Sequence, residues 1–456
     1  PGSKSISHHS YGMNYHPQSD ALIGVTGDGR IYALDRQTGM PILPVPFELP
    51  GEKSPEKELT FIDILPQGIK DRIRAELEPL IGGSPFDDPV IAISQVLLGG
   101  GTEVANFFSV DPSTGRMWVA ATAPDAEDGT VDEISEYGAL YGLDLITDDG
   151  PPHIVEACHR YFQGGSASTP TLLADGSKVY VGDAEGGLIA IDSSCNEVWS
   201  LGIGNQVVGS VGVASDNGEI YVATAKDIVK VIDRGDHGEE IWRAVLDMYR
   251  TGLLLDNFNV NLATIGANGV FIEVGSGVLV EDLLPLELGL PFKVGGAVLD
   301  RETGAIRYFA DGIEETVSVM NISPEGALYL GHSPVRRAFA RGVFPDFTHP
   351  LTGGVGKYAP LRQDLLIRDA ACAAFDRAQN ASFYEGFCPD SADADVVQIQ
   401  DLIDQCRRVA PGAIIDGDLS QGEWDMIEGF LADAEAMLVD NLPFAALHLV
   451  EACDFF

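Results

Sequence analysis

The chain has 456 residues, 45% of them hydrophobic and 52 of them glycine. That is too long for one compact core and suits many short strands joined by tight turns. Sixty-nine acidic against 28 basic side chains give a formal charge of −41; a field of that sign repels phosphate backbones and anionic lipid, and argues against nucleic acid or a membrane surface as partner. No run of 18 apolar residues is present, so nothing in the sequence reads as membrane-spanning.

One phrase recurs along the chain. Gly29-Arg-Ile-Tyr-Ala-Leu-Asp35-Arg-Gln-Thr-Gly39 is followed by Val179-Tyr-Val-Gly-Asp-Ala-Glu-Gly-Gly-Leu-Ile-Ala-Ile-Asp192. Ile220-Tyr-Val-Ala-Thr with Val231-Ile-Asp-Arg-Gly235 comes next, then Gly296-Ala-Val-Leu-Asp-Arg-Glu-Thr-Gly304. Each copy reads as an apolar strand, a turn, a second strand ending in Asp, and a Gly-containing turn. A unit of that size cannot bury both faces of its own sheet, so successive copies must pack on one another.

Taken as four-stranded blades, the copies fall at about 10–46 (with an Asp28-Gly29 hairpin signal), 101–159, 165–203, 206–247, 257–312 and from 315 onward. The fifth carries an insertion near Glu281–Leu290, and a seventh or eighth blade has room in 51–100 or 335–358. Within 51–100, Gly68–Leu80 has amphipathic helical spacing. From Leu361 the strand pattern stops. Leu361–Ala378 and Ala394–Val409 have helical spacing, and Ser420-Gln-Gly-Glu423 is a capping-box pattern ahead of Trp424–Val439. The expected organisation is all-β: a β-propeller of six to eight blades over 1–360 with a helical insertion at about 51–100, and a small α-helical subdomain over 361–456.

Cys158, Cys195, Cys372, Cys388, Cys406 and Cys453 are even in number and form no Cys-x-x-Cys, which points to disulfides in an exported protein rather than to zinc. Cys158 with Cys195, one repeat apart, is the expected first pair; Cys372 with Cys388 and Cys406 with Cys453 would then staple the tail. No signal peptide is present. The opening Pro-Gly-Ser has the look of a cloning scar, so an export leader is expected to have preceded it, and the expected location is periplasmic or secreted.

The repeats resemble those of pyrroloquinoline-quinone-type β-propellers, whose blades end in Ala-x-Asp-x-x-Thr-Gly-x-x-x-Trp. Ala33-Leu-Asp35-Arg-Gln-Thr38-Gly39 matches all but the Trp. Ala190-Ile-Asp192 with Trp199, Ile232-Asp233 with Trp242, and Leu299-Asp300-Arg-Glu-Thr303-Gly304 match in part. The resemblance spans about 10–339 and implies the propeller fold. It implies little about activity, since the family holds quinone-dependent dehydrogenases and non-catalytic envelope scaffolds alike. The motif itself is structural: Asp caps the following turn, Gly takes a positive φ, and Trp wedges between sheets.

Chemistry in a propeller belongs in the central funnel, at the residues leading into each innermost strand. Glu103, Asn106, Asn257, Asn259 and Glu315 put oxygen atoms there, a donor set suited to calcium. His8, His9 and His16 form the densest imidazole cluster, His153 and His159 flank Cys158, His237 reads as exposed, and Arg336-Arg337 lies near His332 and His349. Asp416-Gly-Asp418 begins like a calcium loop but lacks the terminal Glu, and reads as a helix cap. The family's Cys-Cys disulfide over the quinone, its stacking Trp and a haem-binding Cys-x-x-Cys-His have no counterpart, which argues against bound pyrroloquinoline quinone. No Gly-x-Ser-x-Gly in a strand-turn-helix context supports a serine hydrolase.

Two readings follow. The first is a platform that binds a protein partner or small ligand; the second is a funnel-site enzyme, either a calcium-dependent hydrolase of lactonase type or a quinone-dependent dehydrogenase. The sequence does not decide whether the chain is an enzyme.

Overall fold

A computed structural model gives the architecture. It describes residues 10–54, 66–81 and most of 103–456; the longest stretches outside this description after residue 103 are 249–255, 281–287, 313–319 and 343–353.

Six antiparallel sheets follow one another along the chain. Blade 1 is β1 (Ser10–His16), β2 (Ala21–Thr26), β3 (Arg30–Asp35) and β4 (Phe47–Glu48). Blade 2 is β5 (Ser109–Val110), β6 (Met117–Thr122), β7 (Gly138–Ile146) and β8 (His153–Phe162). Blade 3 is β9 (Thr171–Leu172), β10 (Lys178–Gly182), β11 (Gly187–Asp192) and β12 (Glu197–Gly202), and blade 4 is β13 (Val207–Val213), β14 (Ile220–Thr224), β15 (Asp227–Asp233) and β16 (Gly238–Val245). Blade 5 has five strands: β17 (Asp256–Asn259), β18 (Thr264–Gly266), β19 (Gly269–Val280), β20 (Leu288–Leu299) and β21 (Ile306–Gly312). Blade 6 shows three: β22 (Asn321–Ile322), β23 (Leu328–His332) and β24 (Gly354–Tyr358). The expected insertion in blade 5 is, in its described part, a lengthened hairpin in which Val280 pairs Leu288 and Gly277 pairs Pro291.

Consecutive blades lie face to face, and the core sits between them. Ile23, Val25 and Ile31 of blade 1 pack with Val119, Ala139 and Tyr141 of blade 2. Trp118 and Leu140 of blade 2 meet Val179 and Ile191 of blade 3. The series continues through Tyr180 and Trp199 against Ile220 and Val229, then Tyr221 and Ala223 against Val270 and Ile272. In blades 2 to 4 the second and third strands are therefore buried on both faces, which is why they read as continuous apolar runs rather than as alternating ones.

Helix α1 (Gln67–Ile81) confirms the amphipathic segment, with Ile73 and Leu77 fully buried. It leaves the blade 1–2 connection to pack on the connection inside blade 6. The Arg72 guanidinium donates to the Gly342 carbonyl at 3.0 Å, Arg341 pairs with Glu76, and a Cβ at Gly342 would collide with Ile73.

The C-terminal helices are α2 (Gln363–Tyr384), α3 (Pro389–Asp416), α4 (Gln421–Met437) and α5 (Leu442–Asp454). They share an alanine-rich core that includes Ala371, Ala374, Ile403, Ala410, Leu431 and Leu449. The capping box forms as read: Ser420 accepts from the Glu423 N–H, and the Glu423 carboxylate accepts from the Ser420 N–H. The Asp416–Asp418 segment caps a different helix from the one it precedes, since Asp418 accepts from the Gln363 N–H at 2.9 Å and Asp416 from the Gln363 side chain. Asp416 also pairs with Arg307 of β21, and Gly412 lets α3 close on the β21 backbone, so the helical tail is fastened to blade 5.

The cysteines are paired in part as expected. Cys158 and Cys195 form a disulfide. The other two pairings are corrected: Cys372 bonds Cys453, tying α2 to α5, and Cys406 is a buried free thiol. Its Sγ contacts the Ile367 carbonyl at 3.5 Å, and burial pushes the thiol up to about 12. Cys388 lies outside the described residues. The expected pairing missed that α2 packs along α5, which brings Cys372 to Cys453.

Candidate binding surface

Each blade grips the next through one recurring device. The strand-end Asp turns its carboxylate onto its own turn: Asp35 accepts from the N–H groups of Gln37 and Thr38 and from the Thr38 hydroxyl, and Asp300 does the same for Glu302 and Thr303. Gly39 and Gly304 hold φ of 67° and 74° there, and Cys195 takes the equivalent place at 65°. These hydrogen bonds hold the Asp35 carboxyl below its ordinary range.

The outer strand of the preceding blade then presses a side chain on this turn. A one-residue bulge follows the pairs Gly142–Cys158, Ala190–Trp199, Lys230–Trp242 and Val298–Tyr308, so the same register position recurs in blades 2 to 5. Trp199 donates its indole N–H to Asp233 of blade 4 at 3.1 Å, and a Cβ at Gly238 would strike its ring. Trp242 donates to the Arg301 carbonyl of blade 5 at 3.1 Å and covers Gly304. In blade 2 the position is Cys158, and its partner Cys195 lies in the blade 3 turn. The disulfide thus stands where blades 3 and 4 use an indole.

Charged groups complete each grip. Asp233 also accepts from Lys178 and Tyr180 of blade 3, both at 2.7 Å. Arg301 reaches back to Asp216 and Glu219 of blade 4, and Lys230 pairs with Glu219. Glu219 is pulled down to about 2: desolvation opposes ionisation there, and the hydrogen bonds from Lys230, Tyr221 and Arg301 overcome it. These groups serve packing between blades.

Three of the expected funnel residues bond a neighbouring blade, Glu103 and Asn259 through the backbone N–H and Asn106 through its side chain. The Glu103 N–H donates to the Gly27 carbonyl of blade 1, and its side chain lies against Gly29. Burial first, then the charges of Glu52 and Asp28, push its carboxyl up to about 8. Asn106 accepts from the Thr169 hydroxyl of blade 3 at 2.9 Å, and the Asn259 N–H donates to Ala225 of blade 4 at 2.8 Å. Asn257 sits on β17 two residues before it. Glu315, His8, His9, Arg336, Arg337 and His349 lie outside the described residues. Among the described residues no group of three or more His, Cys, Asp or Glu side chains is arranged to hold a metal ion. His16 is buried against Gly115 and bonds the Ser19 hydroxyl, with its protonated form disfavoured chiefly by burial. His159 pairs with Glu156 and stacks on Tyr161, and His237 is exposed beside Asp236, as its turn suggested.

One blade interface differs from the rest. In blade 1 the Asp35 N–H bonds the Met40 carbonyl as Asp192 bonds Asn196, and three residues further on, where blade 3 has Trp199, the chain places Leu43. Beside it opens a cleft of about 940 Å³, mostly apolar, lined by Arg30, Tyr32, Leu43–Glu48 of blade 1 and Pro151–Ile154 of the blade 2 turn. The sequence reading noted the missing Trp after Gly39 but drew no site from it. A smaller cleft of about 400 Å³ lies beside Tyr137, Tyr161, Phe162 and the Arg160–Glu197 pair, between blades 2 and 3.

Successive four-stranded sheets, face-to-face cores and the shared Asp-turn device define a β-propeller built of pyrroloquinoline-quinone-type repeats with a C-terminal helical subdomain. Residues 109–258 match the family described as outer membrane protein assembly factor BamB. Among solved structures the chain is similar to BamB from Moraxella catarrhalis, at 14% identity over 71% of this chain and 80% of that one, TM-score 0.37. It is also similar to the Cps50 (Swd1) β-propeller domain of Myceliophteria thermophila, at 12% identity over 72% and 95% of the two chains, TM-score 0.35. No curated protein matches. No described helix is long and apolar enough to cross a membrane.

Proposed function

We propose that the chain is a non-catalytic platform that binds a protein partner in an oxidising compartment, the periplasm in the first instance. The observation that carries the reading is the interlocking of the blades: Asp233 with Lys178, and Asp216 and Glu219 with Arg301, use their charges to hold one blade against the next. The family matched over residues 109–258 is described as an outer membrane protein assembly factor, which supports a role in handling other proteins. Two disulfides support an oxidising compartment.

The test is native mass spectrometry of the full chain isolated gently from its own host, with metal analysis of the same sample. A second protein at fixed stoichiometry is the expected result. A chain carrying instead a stoichiometric ion or a small ligand lost on denaturation overturns the platform and puts the funnel enzyme in its place.

A further inference from the structure

We infer that the cleft between blades 1 and 2 receives an aromatic side chain, tryptophan foremost, carried on a basic segment of the partner protein. The inference rests on the platform reading and adds to it the place and chemistry of contact.

The molecule itself shows what such a position takes. At the blade 3–4 and 4–5 interfaces an indole from the outer strand fills the gap over the next blade's turn, and at the blade 2–3 interface a disulfide does so. At the blade 1–2 interface the residue at the same distance from the turn is Leu43, which lacks both the second ring and the N–H, and the cleft opens beside it. Among the described residues, the segment after Leu43 does not close it. It leaves Leu43 through Pro44-Val45-Pro46, which brings two residues without an N–H, and Val45 points out at 73% exposure. Tyr32, on β3, presents its ring to the cleft at 37% exposure, where it can flank an incoming aromatic.

Charge selects the segment that carries the ring. Asp148 and Asp149 are exposed in the turn that leads into Pro151. The cleft's cation, Arg30, is already neutralised by Asp28 and Glu48. A rim with exposed carboxylates on a chain of charge −41 attracts lysine and arginine and repels an acidic segment.

Fluorescence anisotropy with the full chain tests this directly, using a labelled peptide Lys-Ala-Trp-Ala-Lys-amide and two counterparts, one with Trp replaced by Ala and one with both Lys replaced by Glu. The Trp-Lys peptide is expected to bind at least tenfold more tightly than either counterpart. Leu43→Trp, which fills the cleft from within, is expected to weaken it at least tenfold, and Tyr32→Ala to weaken it in a chain whose interior is untouched. Equal binding of the three peptides, or binding indifferent to both substitutions, overturns the inference. Its failure is separable from that of the platform. A host partner seen by native mass spectrometry that stays bound to the Leu43→Trp chain sinks the cleft and keeps the platform. Peptide selectivity lost in Leu43→Trp, with no host partner, does the reverse.

Discussion

Glu103 sits where its surroundings oppose its charge. Its carboxyl titrates near 8 in the folded chain against about 4.5 ordinarily, because burial and the neighbouring Glu52 and Asp28 disfavour the anion. Between those two pH values the folded state holds a proton that the unfolded state has released, so Glu103 costs no stability below pH 4.5 and its full cost is reached above pH 8. Glu103→Gln should therefore flatten the fall in melting temperature as pH rises from 5 to 8. An unchanged slope would show that the carboxylate has a compensating partner. Trp199 is the complementary case, a nearly buried ring with its N–H on Asp233. Trp199→Ala should cost about 3–5 kcal/mol in denaturant unfolding, the ordinary penalty for emptying a large aromatic site; a loss below 1 kcal/mol would contradict its role as a wedge. The Asp-Gly turns and the wedging of Trp199 and Trp242 were legible in the sequence, because each follows from one residue's own chemistry. The charge of Glu103 was not: nothing in the local sequence shows that the blade 1 turn, 74 residues earlier at Gly29, closes over it.

At the level of elements, blade positions followed from the recurring strand–turn phrase, and α1 and the capping box at Ser420 from periodicity and cap chemistry. Three features escaped. Helix α5 begins at Leu442 behind the N-cap Asn441, with Pro443 in its first turn, a recognisable start signal, but its apolar residues run on from the preceding helix without a distinct period. The Cys372–Cys453 bond depends on α2 packing along α5, a tertiary fact that spacing does not encode. The free Cys406 follows from its burial in the helical core. The bond closes 81 residues of chain, for which the loop-entropy model gives about 4 kcal/mol. Cys372→Ser should destabilise the helical subdomain by that order, seen as an early unfolding step before the blades melt. Simultaneous loss of helix and strand signals would show that the two parts unfold as one.

For the whole molecule, the repeat predicted a propeller of six to eight blades, and six sheets are present among the described residues. What single-sequence reading could not reach is where the repeat is broken to advantage. The absent Trp after Gly39 looked like a decayed motif, yet in three dimensions it opens a cleft between two otherwise well-packed sheets. On the proposed reading the acidic chain steers its basic partner at low salt and loses reach as ionic strength rises.

The most direct test of the account is photo-crosslinking in the host, with benzoylphenylalanine placed at Val45 on the cleft, or at exposed Val397 on α3 as control. The account predicts one discrete protein adduct from Val45, reduced by added salt, and none from Val397. Adducts of equal yield from both positions, or none from either, would contradict it.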